Sequence, residues 1–379
     1  AIYIGGSNSV LTNIIIDNST SANVKMNGAG GAIYQNGYGG TLINATISNT
    51  YANGNGGAIY WKGSTPSTIT NISITYSQTE VFNSTNSADG GAIYSTTIGE
   101  LSNVTIEGAR AYKNNGDVHG GAIYLRDAVT LNNITVEGSR ASTDDGTSYG
   151  GAVFLERYRG STSVWVYNST FNENNADLGG GLYFNKVTGR ISGTSFTANV
   201  ANKDGGALYG IGSDIIVSTS EFEHNSAKNG GAIFSQNVHI QIDDSIMEFN
   251  TAEEKGGAIY HNYIDKSGSS WVKGSDLLNN TAFQGSAIYV TKVNRFTLAN
   301  DVLLDNQANS NKFIEKHVGV DEEGNNYTSA IFLGFDNLLN AIWQEATNSL
   351  SCDNVTYWGV DGKTVANSAP TQSDREVNI

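Results

Sequence analysis

The chain has 379 residues, among them 45 Gly, 19 Tyr, 13 Phe, 5 Trp, two Pro and one Cys, with a formal net charge of −15. Charged residues make up 15%, below the roughly 25% of an average soluble domain, and the acidic balance argues against nucleic acid or an anionic membrane surface as a partner. The aromatic content argues against disorder, no run of about 18 apolar residues offers a membrane-spanning helix, and Cys352 alone makes neither an internal disulfide nor a zinc cluster.

The chain opens on Ala1-Ile2-Tyr3, the second half of a pentapeptide that then returns throughout. GGAIY stands intact at Gly30–Tyr34, Gly56–Tyr60, Gly90–Tyr94, Gly120–Tyr124 and Gly256–Tyr260. Variants stand at Gly150–Phe154, Gly179–Tyr183, Gly205–Tyr209, Gly230–Phe234 and Gly285–Tyr289, and a worn copy at Ser329–Phe332. The first residues of successive copies from Gly30 to Gly285 lie 26, 34, 30, 30, 29, 26, 25, 26 and 29 positions apart. Between copies falls a second beat, an apolar residue followed three positions later by Asn: Ile15–Asn18, Phe171–Asn174, Phe196–Asn199, Phe222–Asn225, Met247–Asn250, Leu277–Asn280 and Leu303–Asn306. In the early repeats Thr50, Ser77, Ala109 and Ser139 replace that Asn. Ahead of the second beat runs alternation such as Ile43-Asn44-Ala45-Thr46-Ile47, the period of a strand.

A unit of this length with about three short strands and no helical period predicts one coil of a right-handed parallel β-helix, all-β, with about 11–12 coils. Ordering a 26-residue coil costs about 26–52 kcal/mol, whereas burying roughly six apolar side chains returns only about 1.5–3 kcal/mol each. A coil therefore folds only by stacking on its neighbours, at about 4.8 Å per layer and about 55 Å in all. Gly-Gly suits a corner with positive φ or close backbone approach, and Asn suits another, where it adopts the left-handed conformation and stacks into an amide ladder.

Period two divides the faces. Ile33, Ile59, Ile93 and their equivalents point inward, so the motif Tyr, including Tyr34, Tyr60, Tyr94 and Tyr124, points outward. That column is either an exposed stripe able to stack on sugars or a partner protein, or a self-stacking ladder that stiffens the sheet. The longer coils add residues before Gly-Gly at Thr79–Ala88, Arg110–His119 and Arg140–Tyr149, three loops expected side by side. Beside them Glu107/Arg110 and Glu137/Arg140 occupy matching positions, where a small lattice of ion pairs between coils is expected. Trp61, Tyr158 and Trp271 stand at a different corner as candidate anchors for a glycan or protein.

Three further sets carry chemistry. Glu223 and Glu248 are expected as column neighbours near Asp244. Together they form a solvated acidic face, a Ca²⁺ site or a glycosidase-like carboxylate pair, and no basic residue nearby suits a lyase. The five His residues show no ligand spacing, and no cofactor motif is present. Among the N-x-S/T sequons, Asn44, Asn71, Asn103, Asn133 and Asn168 are expected to point outward, where a glycan fits.

GGAI paired with FxxN-type repeats resembles the chlamydial polymorphic outer membrane proteins. It is more similar still to adhesin-like surface proteins of methanogenic archaea, whose repeats run FxxNxA…GGAIY. Their β-helices often close with a segment like Leu339–Trp343 followed by Asn354–Gly359. The resemblance covers almost the whole chain and departs where the early coils lack Asn. It implies an extracellular, cell-surface protein that attaches to a glycan or protein of another cell, or to itself. The organisation expected is a β-helix over 1–362, closing from about 335, then a linker over 363–379 towards a further domain. An adhesin-like attachment module without catalysis is the leading reading. A polysaccharide lyase or glycoside hydrolase, or a structural filament or stalk subunit, are the alternatives.

Overall fold

The computed structural model describes residues 1–308 apart from 23–27, 63–66, 83–84, 97, 128, 159–162, 213, 264–269, 292–294, 300 and 305, and then strands at 318–320, 326–328, 342–345, 349–353 and 356–358. Every regular element among the described residues is a strand. The motif segments, from Ile2–Ile4 through Ile33–Gln35 and Ile59–Trp61 to Ile288–Thr291, with Ile342–Glu345 beyond, form one parallel sheet of twelve strands. Its register is motif on motif: Tyr3 opposite Tyr34, Tyr34 opposite Tyr60, Phe234 opposite Tyr260. The rest of each coil joins a second sheet of thirty strands, also parallel from coil to coil. The chain is thus a parallel β-helix, as the repeat predicts.

The closing segment keeps this register. Ile342 pairs with Ile288 and Trp343 with Tyr289, so Ile342-Trp343 takes the place of Ile-Tyr in the motif. Between that strand and the previous coil sits an antiparallel pair, Val318–Val320 with Asn326–Thr328. The worn copy at 329–332 and the expected linker at 363–379 lie outside the described residues.

Each corner has a physical cause. At Gly-Gly the first residue has positive φ, as at Gly230 (61°). A Cβ on the second, Gly231, would overlap the backbone carbonyl of Gly257 in the next coil. Only glycine permits both. The Asn corner differs from expectation in one respect. The left-handed residue is the one before the ladder Asn: Glu173, Ala198, His224, Phe249 and Asn279 all have φ of 53–55°. The Asn itself turns inward and is buried. Asn225 Oδ1 accepts from both the backbone N (3.0 Å) and Nδ2 (3.0 Å) of Asn199, while its Nδ2 donates to Asn250 Oδ1 (3.0 Å) and to the Phe196 carbonyl (2.9 Å). The amide fills hydrogen-bonding needs that the bend leaves open. In the early coils hydroxyls do part of this, Thr50 donating to Ser77 at 2.8 Å and Ser77 to the Gly91 carbonyl at 2.9 Å.

A further corner carries a buried hydroxyl ladder, in which the backbone N of Ser220 donates to Ser245 Oγ (3.2 Å) and that of Ser245 to Ser275 Oγ (3.1 Å). Asp301 takes the next place, its Oδ1 accepting from the Ser275 N at 2.9 Å. Burial is the largest influence on this carboxyl and raises it to about 7 from 3.8. A raised folded value means that the ionised form costs stability, increasingly from about pH 4 up to about pH 7. Asp301→Ser supplies the hydroxyl of the other coils without the charge. Its melting temperature relative to the parent should therefore climb with pH, the stability difference growing by up to about 4 kcal/mol between pH 4 and pH 8. Thermal melts at the two pH values check this.

The interior is one continuous apolar column set. Ile33, Ile59, Ile93, Ile123, Val153, Leu182, Leu208, Ile233, Ile259 and Ile288 line one wall, and Phe171, Phe196 and Phe222 stack at 5.2 and 4.7 Å on another. Large side chains are matched by absent ones: a Cβ on Gly189 would strike Phe184, and one on Gly40 would come within 2.9 Å of Trp61.

Candidate functional site

The motif aromatics lie outside the twelve-stranded sheet, as period two requires, but most of them do not form an exposed stripe. They stack face to face along the coils with centroids 4.5–5.6 Å apart and planes within 15°. Tyr94 retains 9% of its exposure and Tyr124 4%; Tyr34 and Tyr60 are half-buried, and among the described residues of this column only Tyr3 is open. The cover comes from segments just ahead of Gly-Gly. His119 stacks on Tyr149 at 5.1 Å and leans on Phe154 at 4.6 Å, Tyr149 meets Tyr183 edge-on at 5.1 Å, and Leu178 packs on the same cluster. Burial accordingly pushes the Tyr94 and Tyr124 hydroxyls above their ordinary value. His119 Nδ1 lies 2.8 Å from Asp89, and although burial opposes its charge, the Asp89 carboxylate and nearby acids hold its pKa above the usual value.

The three inserted loops do stand side by side. Arg110–Lys113 pairs with Gln78–Val81 on one side and with Arg140–Thr143 on the other. At their outer edge Phe82, half exposed, meets the Tyr112 ring at 5.4 Å, Tyr112 donates to Asp144 at 2.6 Å, and the Arg110 guanidinium lies 5.1 Å over Tyr112. The ion-pair lattice expected of Glu107, Arg110, Glu137 and Arg140 is replaced by other contacts among the described residues. Arg110 reaches Glu80 at 3.6 Å, because Gly108 (φ 63°) turns the chain between Glu107 and Arg110. Glu107 instead accepts from Tyr76, and Glu137 from Asn172.

The three aromatic anchors do not converge. Trp61 is fully buried, 0% exposed, because it shares the inward parity of Ile59 two positions earlier. It is a core residue and no surface anchor. Tyr158 is 61% exposed and packs on Arg126 at 4.9 Å, and Arg126 is itself held by Glu156 (2.8 Å) and the Tyr124 hydroxyl (2.6 Å). Trp271 lies on the other sheet, partly exposed, donating to Asp243 at 3.1 Å with Lys273 over its ring at 4.4 Å. An aromatic not singled out in the sequence shares its column: Trp165, half exposed, under Arg190 at 5.1 Å. Loop residues 159–160 and 264–269 lie outside the described residues.

Glu223 and Glu248 are register partners, as expected, with His224 Nε2 3.4 Å from Glu223. Asp244 occupies a left-handed corner (φ 49°) in the column of Thr219 and Gly274. No group of three or more His, Cys, Asp or Glu side chains among the described residues is arranged to hold a metal ion.

The sequon residues form the most ordered polar surface. Asn44, Asn71, Asn103, Asn133 and Asn168 are exposed and adopt φ of 48–57°, so here the recurring Asn is itself left-handed, whereas the buried ladder Asn residues follow the left-handed position. Their amides are linked: Asn44 donates to Asn13 (3.2 Å), Asn71 to Asn44 (3.1 Å), Asn103 to Asn71 (3.0 Å) and Asn133 to Asn103 (2.8 Å). Each link uses one of the two amide hydrogens. Beside the ladder runs a register column of hydroxyls, Thr46, Ser73, Thr105, Thr135, Thr170 and Ser195, headed by Ile15. Between the two lies an open groove of about 490 Å³, bordered by Asn13, Asn44, Asn71 and Asn103 on one side and by Ile15, Thr46 and Ser73 on the other. The signal for it in the sequence is Asn-x-Thr/Ser recurring at the coil period.

Residues 219–236 match the Chlamydia polymorphic membrane protein repeat. The matched stretch holds one full set of corner residues, Phe222, Asn225 and Gly230–Phe234. No curated protein and no solved structure matches the chain.

Proposed function

We propose that this chain is the attachment module of a surface protein, a stiff β-helical rod whose outer faces bind a glycan or protein of another cell. The observation that carries this reading is the division of labour in the coil. The Gly-Gly corners, the buried Asn and Ser ladders and most of the aromatic column are taken up by packing and internal hydrogen bonds. Exposed pattern is left to the three stacked loops and the Asn–Thr face. Loops and faces on a rigid scaffold are where recognition commonly resides. The match to a polymorphic membrane protein repeat supports a surface location for the rod.

A hydrolase built on the same scaffold would place its carboxylate pair at Glu223 and Glu248, which share a column. The two readings separate in one assay: sedimentation of the chain with intact cells and with insoluble cell-wall polysaccharide, alongside measurement of released reducing ends. The attachment reading expects co-sedimentation without release, unchanged in E223Q/E248Q. Release of reducing ends that disappears in E223Q/E248Q would replace it with the hydrolase.

A further inference from the structure

We propose that the groove between the Asn ladder and the hydroxyl column is a binding cleft for an uncharged, linear polysaccharide laid along the axis of the rod. This rests on the attachment reading and names the chemistry of one of its surfaces. The groove runs past four successive Asn corners, from Asn13 to Asn103, a length of about 14 Å at the spacing of stacked strands. Its amides are already aligned by their own hydrogen bonds, Asn71 to Asn44 at 3.1 Å and Asn103 to Asn71 at 3.0 Å. Orienting them on binding therefore costs little. Each linked amide keeps a second N–H and further lone-pair capacity for a ligand, and each hydroxyl of Thr46 and Ser73 can donate and accept. The result is a repeated array of neutral donors and acceptors, complementary to a chain of hydroxyl groups with a repeat along one direction.

Charge narrows the ligand further. The groove has no ionisable side chain in its lining, in a chain of net charge −15. The nearest acidic side chains on the same strands are Asp17, Glu100 and Glu107, all exposed, so a polyanion would be repelled and no lysine or arginine of the lining offsets it. Ile15, 83% exposed at one end of the hydroxyl column, supplies an apolar contact for the C–H face of a sugar ring. A peptide strand fits less well, because it needs free backbone donors at a sheet edge, and the groove lies on a face whose backbone groups pair between coils.

The test is affinity electrophoresis of the full chain through gels containing dextran, mixed-linkage β-glucan or polygalacturonate. Retardation is expected in at least one of the two neutral gels and not in polygalacturonate. Ser73→Trp fills the groove from the hydroxyl side without removing a ladder amide and should weaken retardation at least fivefold. Thr135→Trp, on the same column beyond the groove, should leave it unchanged. If S73W lowers the melting temperature, Thr46→Tyr replaces it. Absence of retardation in both neutral gels, equal retardation of the groove variants, or stronger retardation by polygalacturonate overturns the proposal. Cells still co-sedimenting with S73W as with the parent would place attachment elsewhere on the rod and leave the broader reading standing.

Discussion

Asn225→Ala is expected to destabilise the rod by about 3–5 kcal/mol. Asn225 is fully buried and takes part in four side-chain hydrogen bonds that cross two coil boundaries. Alanine strips the Asn199 backbone N–H of its acceptor and the Asn199 amide of one of its two; it also takes the amide donor from the Phe196 carbonyl and from Asn250 Oδ1, which keeps only the residue 225 backbone N–H. Each buried polar group left without a partner costs about 1–3 kcal/mol. Asn225→Ser should recover part of the loss, since hydroxyls serve at the equivalent Thr50 and Ser77. Urea unfolding of the three proteins measures this. An Asn225→Ala midpoint equal to the parent's would mean that the ladder is incidental to the fold.

His261→Leu is expected to make the protein tolerant of acid. His261 is 0% exposed, its Nδ1 sits 2.7 Å from Ser235 Oγ, and its Nε2 is buried without a hydrogen-bond partner among the described residues. Tyr263 and Phe296 flank the ring at 6.4 and 5.7 Å. Burial first, and the neighbouring His239 second, lower its pKa from 6.5 to about 3. His239 faces it while itself 2.9 Å from Asp214. Because the folded value lies below the unfolded one, the unfolded chain takes up the proton first, and stability falls as pH drops below about 6.5. The loss is about 2 kcal/mol by pH 5 and about 4 kcal/mol by pH 3. Leucine occupies the same column at positions 125 and 155 and carries no group to protonate. Melts at pH 7 and pH 5 should show the variant gaining about 2 kcal/mol on the parent over that interval; parallel shifts in both proteins would contradict it.

Much of this architecture is legible in the sequence because a β-helix repeats its constraints. The GGAIY spacing sets the register of the twelve-stranded sheet, and the FxxN beat from Phe171 onward marks the buried amide ladder, whereas Ile15–Asn18 falls one residue out of that column, where Ile16 and the buried Ser19 stand. What escaped depends on contacts between different parts of a coil. Tyr94 and Tyr124 have the outward parity expected, but the segments carrying His119, Tyr149 and Leu178 fold back over them, and alternation says nothing of what lies above a face. Trp61 looked like a corner residue by its size and neighbours, whereas the strand continues one step further and carries it inward. The left-handed position fell one residue before the ladder Asn, because the Asn side chain must enter the core while the bend is made ahead of it. At the groove the motif was visible as a sequon. Its second property, a string of linked amides beside a hydroxyl column, required the coil register to align Asn13, Asn44, Asn71 and Asn103.

Retention of beads coated with the full chain on cell monolayers under laminar flow tests the attachment reading most directly. Coated beads are expected to resist detachment well beyond albumin-coated beads, to be competed off by free chain in solution, and to be retained equally well when coated with E223Q/E248Q. Beads that wash away as readily as the albumin controls from every cell surface tried would contradict it.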